Sequence, residues 1–206
     1  MPRVKVARKS TAIDMTAMCD VAFLLLTFFI LTAKPKVEDP SKAEVPPSSK
    51  MMPVGDANMV TLSVGHAKVF YSVTEDDVRE AALKEMGKKY GVAFTPEEVQ
   101  RFKLTQVFGV PMKQMKSFLN LDKDGLKTFQ QTGIPVDTTN NNELSNWILL
   151  SRQSEKALHN KDLDFSIKGD KGEEYPTINL VIGQLEKQKK FKFNLITTLK
   201  TAPIRR

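Results

Sequence analysis

Residues 13–33 read IDMTAMCDVAFLLLTFFILTA, the only segment of the chain that is both apolar and long enough to cross a bilayer. As an α-helix this segment would be about 32 Å long, close to the roughly 30 Å hydrocarbon core of a membrane. The sequence therefore predicts a single transmembrane helix over residues 13–33.

A cleaved signal peptide is the competing interpretation of the same segment. The strictly apolar part, residues 21–33, has the length of a signal-peptide core, and four basic residues precede the span. Cleavage after Ala33 would put Leu31 where a small residue is required, and Lys34 and Pro35 would follow the cut. A retained helix therefore fits the sequence better. The preceding basic residues are Arg3, Lys5, Arg8 and Lys9.

The most informative residue of this span is Asp20. A charged side chain at the centre of a membrane helix costs about 2.5 to 3.5 kcal/mol on insertion scales. Such residues usually face protein or water and take part in ion movement. We therefore predict that Asp20 carries protons.

Two threonines and a second aspartate lie close to Asp20 in the same helix. At 100° per residue, Thr16 and Thr27 fall within about 40° of Asp20, which predicts a supporting, pore-facing stripe of hydroxyls. Hydrogen bonding of each hydroxyl to its own helix backbone is the alternative. Asp14 points about 120° away from Asp20. We predict that Asp14 caps or anchors the helix, with a cytoplasmic entrance for protons as its alternative role.

Charge and composition divide the rest of the chain. Residues 1–12 form a basic arm without acidic residues, which favours a cytoplasmic N-terminus. Residues 34–58 are rich in Pro, Lys, Glu and Ser and are predicted to be a flexible linker. Residues 59–201 then form a domain on the far side of the membrane, which in a bacterium is the periplasm, and residues 202–206 form a tail.

Composition argues against several classes of function. The single cysteine allows no internal disulfide, and the net charge of +7 is spread along the chain without an aromatic-basic motif. Nucleic acid is therefore not a predicted partner. His66 and His159 have no ligand-spaced partners, and no nucleophile pair or phosphate loop is present. We predict no metal, no cofactor and no enzymatic activity.

The pattern of residues 59–201 predicts an α+β fold, a small mixed sheet-and-helix domain. Thr74, with Asp77 three positions later, is predicted to cap the helix that follows a β-hairpin. Alternating apolar residues predict strands, and apolar residues at helical spacing predict helices. The predicted elements are strands around 60–64, 69–73, 163–167 and 191–195, and helices from 74, over 143–158 and from Pro176.

Residues 87–142, approximately, are predicted to be a helical insertion. Thr95-Pro96-Glu97-Glu98 has the pattern of a capped helix start, and Pro111 begins another helix. Asn120-Leu-Asp122-Lys-Asp124-Gly125 is similar to the start of a calcium loop, but Gln131 stands at the twelfth position, where that loop needs a bidentate Glu. An Asp-Gly turn is the better explanation of this motif.

The basic N-terminus leading into residues 13–26, with Asp20 before a Leu-rich run, resembles the membrane segment of the ExbD/TolR family of biopolymer transport proteins. The downstream order of hairpin, strand, Pro176 helix and closing strand is similar to the family's periplasmic domain. The resemblance implies a subunit of an inner-membrane motor driven by the proton motive force, which energises TonB-dependent outer-membrane transport. It assigns the proton-carrying role to Asp20.

The resemblance also implies the partners. Family members form homodimers whose helices lie inside a ring of an ExbB-like or TolQ-like multi-helix protein, and their periplasmic domains act on a TonB-like or TolA-like partner. The alternative is a membrane-anchored periplasmic scaffold or interaction protein without proton coupling, whose helix is only a tether. The two hypotheses differ in whether Asp20 is essential.

Overall fold

The computed structural model describes residues 15–33, 40, 43–48, 55, 57–137, 142–172 and 175–199. The chain forms two compact units, residues 1–38 and residues 39–206. The described helix of the first unit is α1 (Met15–Thr32). The buried hydrophobic core belongs to the second unit and runs from Val60 to Leu185.

The second unit mixes strands and helices, which confirms the predicted α+β class with an N-terminal candidate transmembrane helix. The first described element of this unit and its last two are strands of only two residues. In chain order the described elements are β1 (Pro47–Ser48), β2 (Met59–Gly65), β3 (Lys68–Val73), α2 (Asp76–Tyr90), α3 (Pro96–Leu104), β4 (Val107–Phe108), α4 (Met112–Leu119), α5 (Lys123–Thr128), α6 (Glu143–His159), β5 (Asp164–Gly169), α7 (Tyr175–Lys187), β6 (Asn194–Leu195) and β7 (Thr198–Leu199).

The central sheet has five strands in the order β4-β3-β2-β5-β6. The predicted hairpin is confirmed, since β2 pairs antiparallel with β3 and Leu62 lies opposite Tyr71. Strand β5 then joins β2 in parallel, with Leu62 opposite Ile167, and β6 joins β5 in parallel. The central strand β2 is buried from Leu62 to Gly65 because it has a neighbour on either side.

The predicted Thr74 cap of the next helix is wrong. Helix α2 begins at Asp76 with Glu75 in the N-cap position. The Thr74 hydroxyl instead donates to the Met59 carbonyl at 3.2 Å, and Glu75 accepts a hydrogen bond from the Asn58 amide. The side chains of Thr74 and Glu75 therefore bond to the backbone at the start of β2 and do not cap α2.

The segment predicted as an insertion, residues 87–142, is part of the main core. Its α3 helix has the predicted capping box, in which the Glu98 amide donates to the Thr95 hydroxyl and the Thr95 amide donates to Glu98. Its β4 strand extends the sheet beside β3. The rings of Phe102 and Phe108 contact Trp147 of α6, with centroids 5.9 and 4.9 Å apart. Removing this segment would therefore open the core.

The Asp-Gly turn predicted in the same segment is also wrong. Residues 123–128 form the short helix α5, and the Asp122 carboxylate accepts a hydrogen bond from the Gly125 amide at 2.7 Å. Asp122 is thus a helix cap, which is a role that Asp fulfils as readily as a turn.

Arg79, on α2, joins three elements from a buried position with 2% of its surface exposed. Its guanidinium donates to the Val73 carbonyl at 2.6 Å, to the Lys103 carbonyl at 2.7 Å and to Asp76. Burial lowers the pKa of Arg79 from its usual value, and the charge of Asp76 opposes that effect. Arginine nevertheless stays protonated, so this clamp holds the ends of β3 and α3 on α2.

Replacing Arg79 tests this clamp. We expect Arg79→Met to lower the free energy of unfolding of residues 39–206 by about 2 to 4 kcal/mol, because the buried Val73 carbonyl and the partly buried Lys103 carbonyl lose their donor. Urea denaturation measures the change. The exposed pair of Lys84 with Glu80 provides the control, since Lys84→Met should cost no more than about 1 kcal/mol. Equal losses in the two variants would contradict the clamp.

The predicted linker, residues 34–58, contains a segment that contacts the folded unit. The Glu44 amide donates to the Asp170 carboxylate at 2.7 Å, and the Lys171 amide donates to the Glu44 carbonyl at 2.7 Å. Strand β1 pairs in parallel with β7, with Pro47 opposite Thr198. We call these contacts of residues 43–48 the clasp.

Removing the Asp170 carboxylate should loosen the clasp without unfolding the core. We expect Asp170→Ala to increase the rate at which a Glu-specific protease cuts after Glu44, by about fivefold or more, because exposed backbone is cut from an open state. The thermal midpoint of the core should change little. Asp162→Ala is the control, because Asp162 pairs with Lys190 outside the clasp. An unchanged cutting rate at Glu44 would show that Asp170 does not hold the clasp.

Candidate functional site

Helix α1 contains a single charged residue, Asp20. The helix has 18 residues, so it is about 27 Å long, and Asp20 lies about 7.5 Å along it from Met15. Its mean hydropathy of 2.0 makes it a candidate membrane span, and no described residue of the helix is buried within the chain. Asp20 therefore lies on an apolar helix surface that no described part of the chain buries.

Because α1 is one continuous helix that turns by about 100° per residue, Thr16 and Thr27 lie on the same side of it as Asp20. Thr16 is about 6 Å from Asp20 along the axis, and Thr27 is about 10 Å away, too far for direct contact. The Thr27 hydroxyl donates to the Leu24 carbonyl at 2.9 Å, which is the backbone bond expected of a helical threonine. Its oxygen lone pairs still accept hydrogen bonds. Asp14 lies outside the described residues.

The second unit has a groove of about 920 Å³ whose apolar lining includes Ala81, Val92, Phe94, Val99 and Leu158. Gly87 allows the backbone of Val92 to approach α2, since a Cβ at Gly87 would lie 2.6 Å from the Val92 oxygen. The rim charges are paired, Lys84 with Glu80 at 2.7 Å and Lys88 with Glu85 at 2.6 Å. We refer to this feature as the α2–α3 groove.

A histidine and two carboxylates meet beside this groove. His159 Nε2 lies 3.0 Å from Asp77 Oδ2, and His159 Nδ1 lies 3.1 Å from Glu155 Oε2. Sequence reasoning found no partners for His159. Glu155 lies four residues before His159, and this helical spacing could have identified it as a partner. Asp77 belongs to a different helix, and only the fold brings it close to His159. Among the described residues, no group of three or more His, Cys, Asp or Glu side chains is arranged so that it could hold a metal ion.

The family model for the biopolymer transport protein ExbD/TolR matches residues 7–199. The match includes α1, the segment predicted to be a linker, residues 87–142 and the closing strands. The chain belongs to the ExbD/TolR family. No curated protein and no solved structure matches it.

Membership sets the function of this ExbD/TolR protein at a general level. The family acts in biopolymer transport, in an energising role, and is not a family of enzymes. Helix α1 fits a single-pass membrane anchor in such a protein. Membership also suggests partners of the ExbB or TolQ type and of the TonB or TolA type.

The shared face of Thr27 and Asp20 gives a testable prediction. We expect Thr27→Val to lower transport by about two- to fivefold in a complementation assay, because water near Asp20 loses an acceptor on this face. Thr32→Val is the matched control. The Thr32 hydroxyl also donates within the helix, to Phe28 at 2.8 Å, but Thr32 points about 120° away from Asp20. If Thr27→Val and Thr32→Val gave the same transport, Thr27 would not belong to the face of α1 that supports Asp20.

Proposed function

We propose that this protein is a subunit of an inner-membrane motor of the ExbB–ExbD or TolQ–TolR type, driven by the proton motive force. The motor energises TonB-dependent transport across the outer membrane, and Asp20 accepts and releases the protons. The observation that carries this proposal is the lone carboxyl group of α1, in a chain that belongs to the ExbD/TolR family.

The cost of a carboxyl group in lipid supports a partner around α1. Asp20 has no basic residue on its own helix to pair with, so a helix facing lipid would leave the acid unsatisfied. A ring of an ExbB-like or TolQ-like multi-helix protein around a dimer of this chain supplies protein and water instead. Thr16 and Thr27 then lie on the face along which water reaches the acid.

Proton transfer follows from two states of the Asp20 side chain. The neutral acid is tolerated in a dry environment, whereas the carboxylate requires water or a donor. A ring that offers these two environments in turn makes proton binding and release change the orientation of α1. Asp14 at the start of the span then caps or anchors the helix, with a cytoplasmic entrance for protons as its alternative role.

The orientation of the chain follows from its charges. The basic arm, residues 1–12, favours a cytoplasmic N-terminus, so the second unit lies in the periplasm. There it acts on a TonB-like or TolA-like partner. A membrane-anchored scaffold without proton coupling is the other candidate, and it makes no use of the acid.

Asp20→Asn separates the two candidates. We expect this variant to insert in the membrane and copurify with its ring partner while transport falls at least about tenfold, because an amide of similar shape cannot carry a proton. Uptake of a substrate that depends on outer-membrane transport is the measurement, in cells that lack the chromosomal copy.

Two controls define the result. Asp20→Glu keeps a titratable carboxyl group and should retain part of the transport. Asp14→Asn should lower transport less than Asp20→Asn, because Asp14 lies at the start of the span and Asp20 carries the proton. Normal transport in Asp20→Asn would contradict the motor and support the scaffold.

A further inference from the structure

His159 joins the last turn of α6 to the first turn of α2. Asp77 belongs to α2, where its other carboxylate oxygen accepts a hydrogen bond from the Val78 amide at 2.8 Å. Glu155 belongs to α6, one helical turn before His159. Asp77 and Glu155 are the charged groups that act on the imidazole from the two helices packed around it.

The two carboxylates differ in their access to water. The Glu155 side chain is fully buried, and its Oε1 atom has no hydrogen-bond partner among the described residues. The Asp77 side chain is 49% exposed. Glu155 therefore depends on the His159 ring for its solvation, whereas Asp77 can be solvated by water.

Protonation of the His159 ring decides whether it can bond to both Asp77 and Glu155. The imidazolium donates from both ring nitrogens, but the neutral ring has one donor and one acceptor. The neutral ring can satisfy only one carboxylate, and the buried Glu155 has the greater need. The second nitrogen then presents a lone pair to Asp77, so this contact becomes repulsive.

The electrostatics agree with this geometry. The hydrogen bond with Glu155 is the main cause that raises the pKa of His159 above its usual value; desolvation opposes it, and the charge of Asp77 adds to the increase. A raised folded-state pKa means that the contact contributes fully below the unfolded value of about 6.5. The contribution is lost as the pH rises through the folded-state pKa.

This contact borders the α2–α3 groove. Asp77 and Leu158, the residue before His159, both line it. Leu158 is 51% exposed at this position. The end of α6 therefore stays against α2, beside the groove, for as long as Asp77 and His159 are in contact.

We propose that His159, Asp77 and Glu155 form a pH-sensitive latch that holds the end of α6 against α2 at acidic pH and releases Asp77 at alkaline pH, changing the α2–α3 groove. The latch does not involve Asp20, so it stands or falls independently of the proton-carrying role of α1.

The test uses residues 39–206, because the hydrophobic core lies within this unit. NMR follows the His159 ring and the amides of Ala81 and Leu158 from pH 5 to pH 9. We expect the ring to titrate above the usual histidine range, and both groove amides to shift with the same midpoint. His159→Gln should abolish the coupled shifts of the groove amides.

Two further variants make the test specific. His66→Gln is the matched control, because His66 lies in the hairpin turn between β2 and β3 and should leave the coupled shifts unchanged. Asp77→Asn should lower the midpoint of the His159 ring and reduce the amide shifts. It also tests the latch if His159→Gln does not fold. Groove amides that do not follow the His159 ring, or that shift equally in His159→Gln, would overturn the proposal.

Discussion

An acid on an apolar helix constrains everything around it. The side chain of Asp20 requires water, a donor or a proton, and α1 has no basic residue that could pair with it. The second unit also has buried polar atoms without a hydrogen-bond partner among the described residues, Oε1 of Glu155 among them, but there His159 lies beside the same carboxylate. In the proposed motor, Asp20 is the position of α1 that the ring partner must accommodate.

The second unit obeys a different constraint, the filling of one core by segments distant in sequence. Tyr71 from the hairpin, Phe102 and Phe108 from the segment 87–142, and Trp147 from α6 form one group of ring contacts. Aromatic rings bury large apolar areas and prefer such tilted contacts. The segment that looked like an addition to the family pattern thus supplies two of the rings on which the core depends.

Features set by neighbouring residues could be predicted from the sequence, and features set by distant residues could not. The hairpin and the Thr95 capping box follow from local alternation and spacing, and both are confirmed. The Thr74 cap failed because a distant carbonyl, that of Met59, took the hydroxyl. The span and Asp20 were visible in the sequence because charge in an apolar run is a local signal. The contact of His159 with Asp77 requires the packing of α2 against α6, so no local pattern shows it.

The clasp changes how the predicted linker, residues 34–58, transmits force. Only nine residues, 34–42, lie between α1 with its Ala33 and the clasp, whereas the predicted linker has 25. A pull along the backbone from α1 meets the grip of Asp170 and Lys171 on Glu44 before it meets Met59. The force then acts on the C-terminal end of β5, a strand near the middle of the sheet. A stronger pull would separate β1 from β7 and so lengthen the free part of the linker.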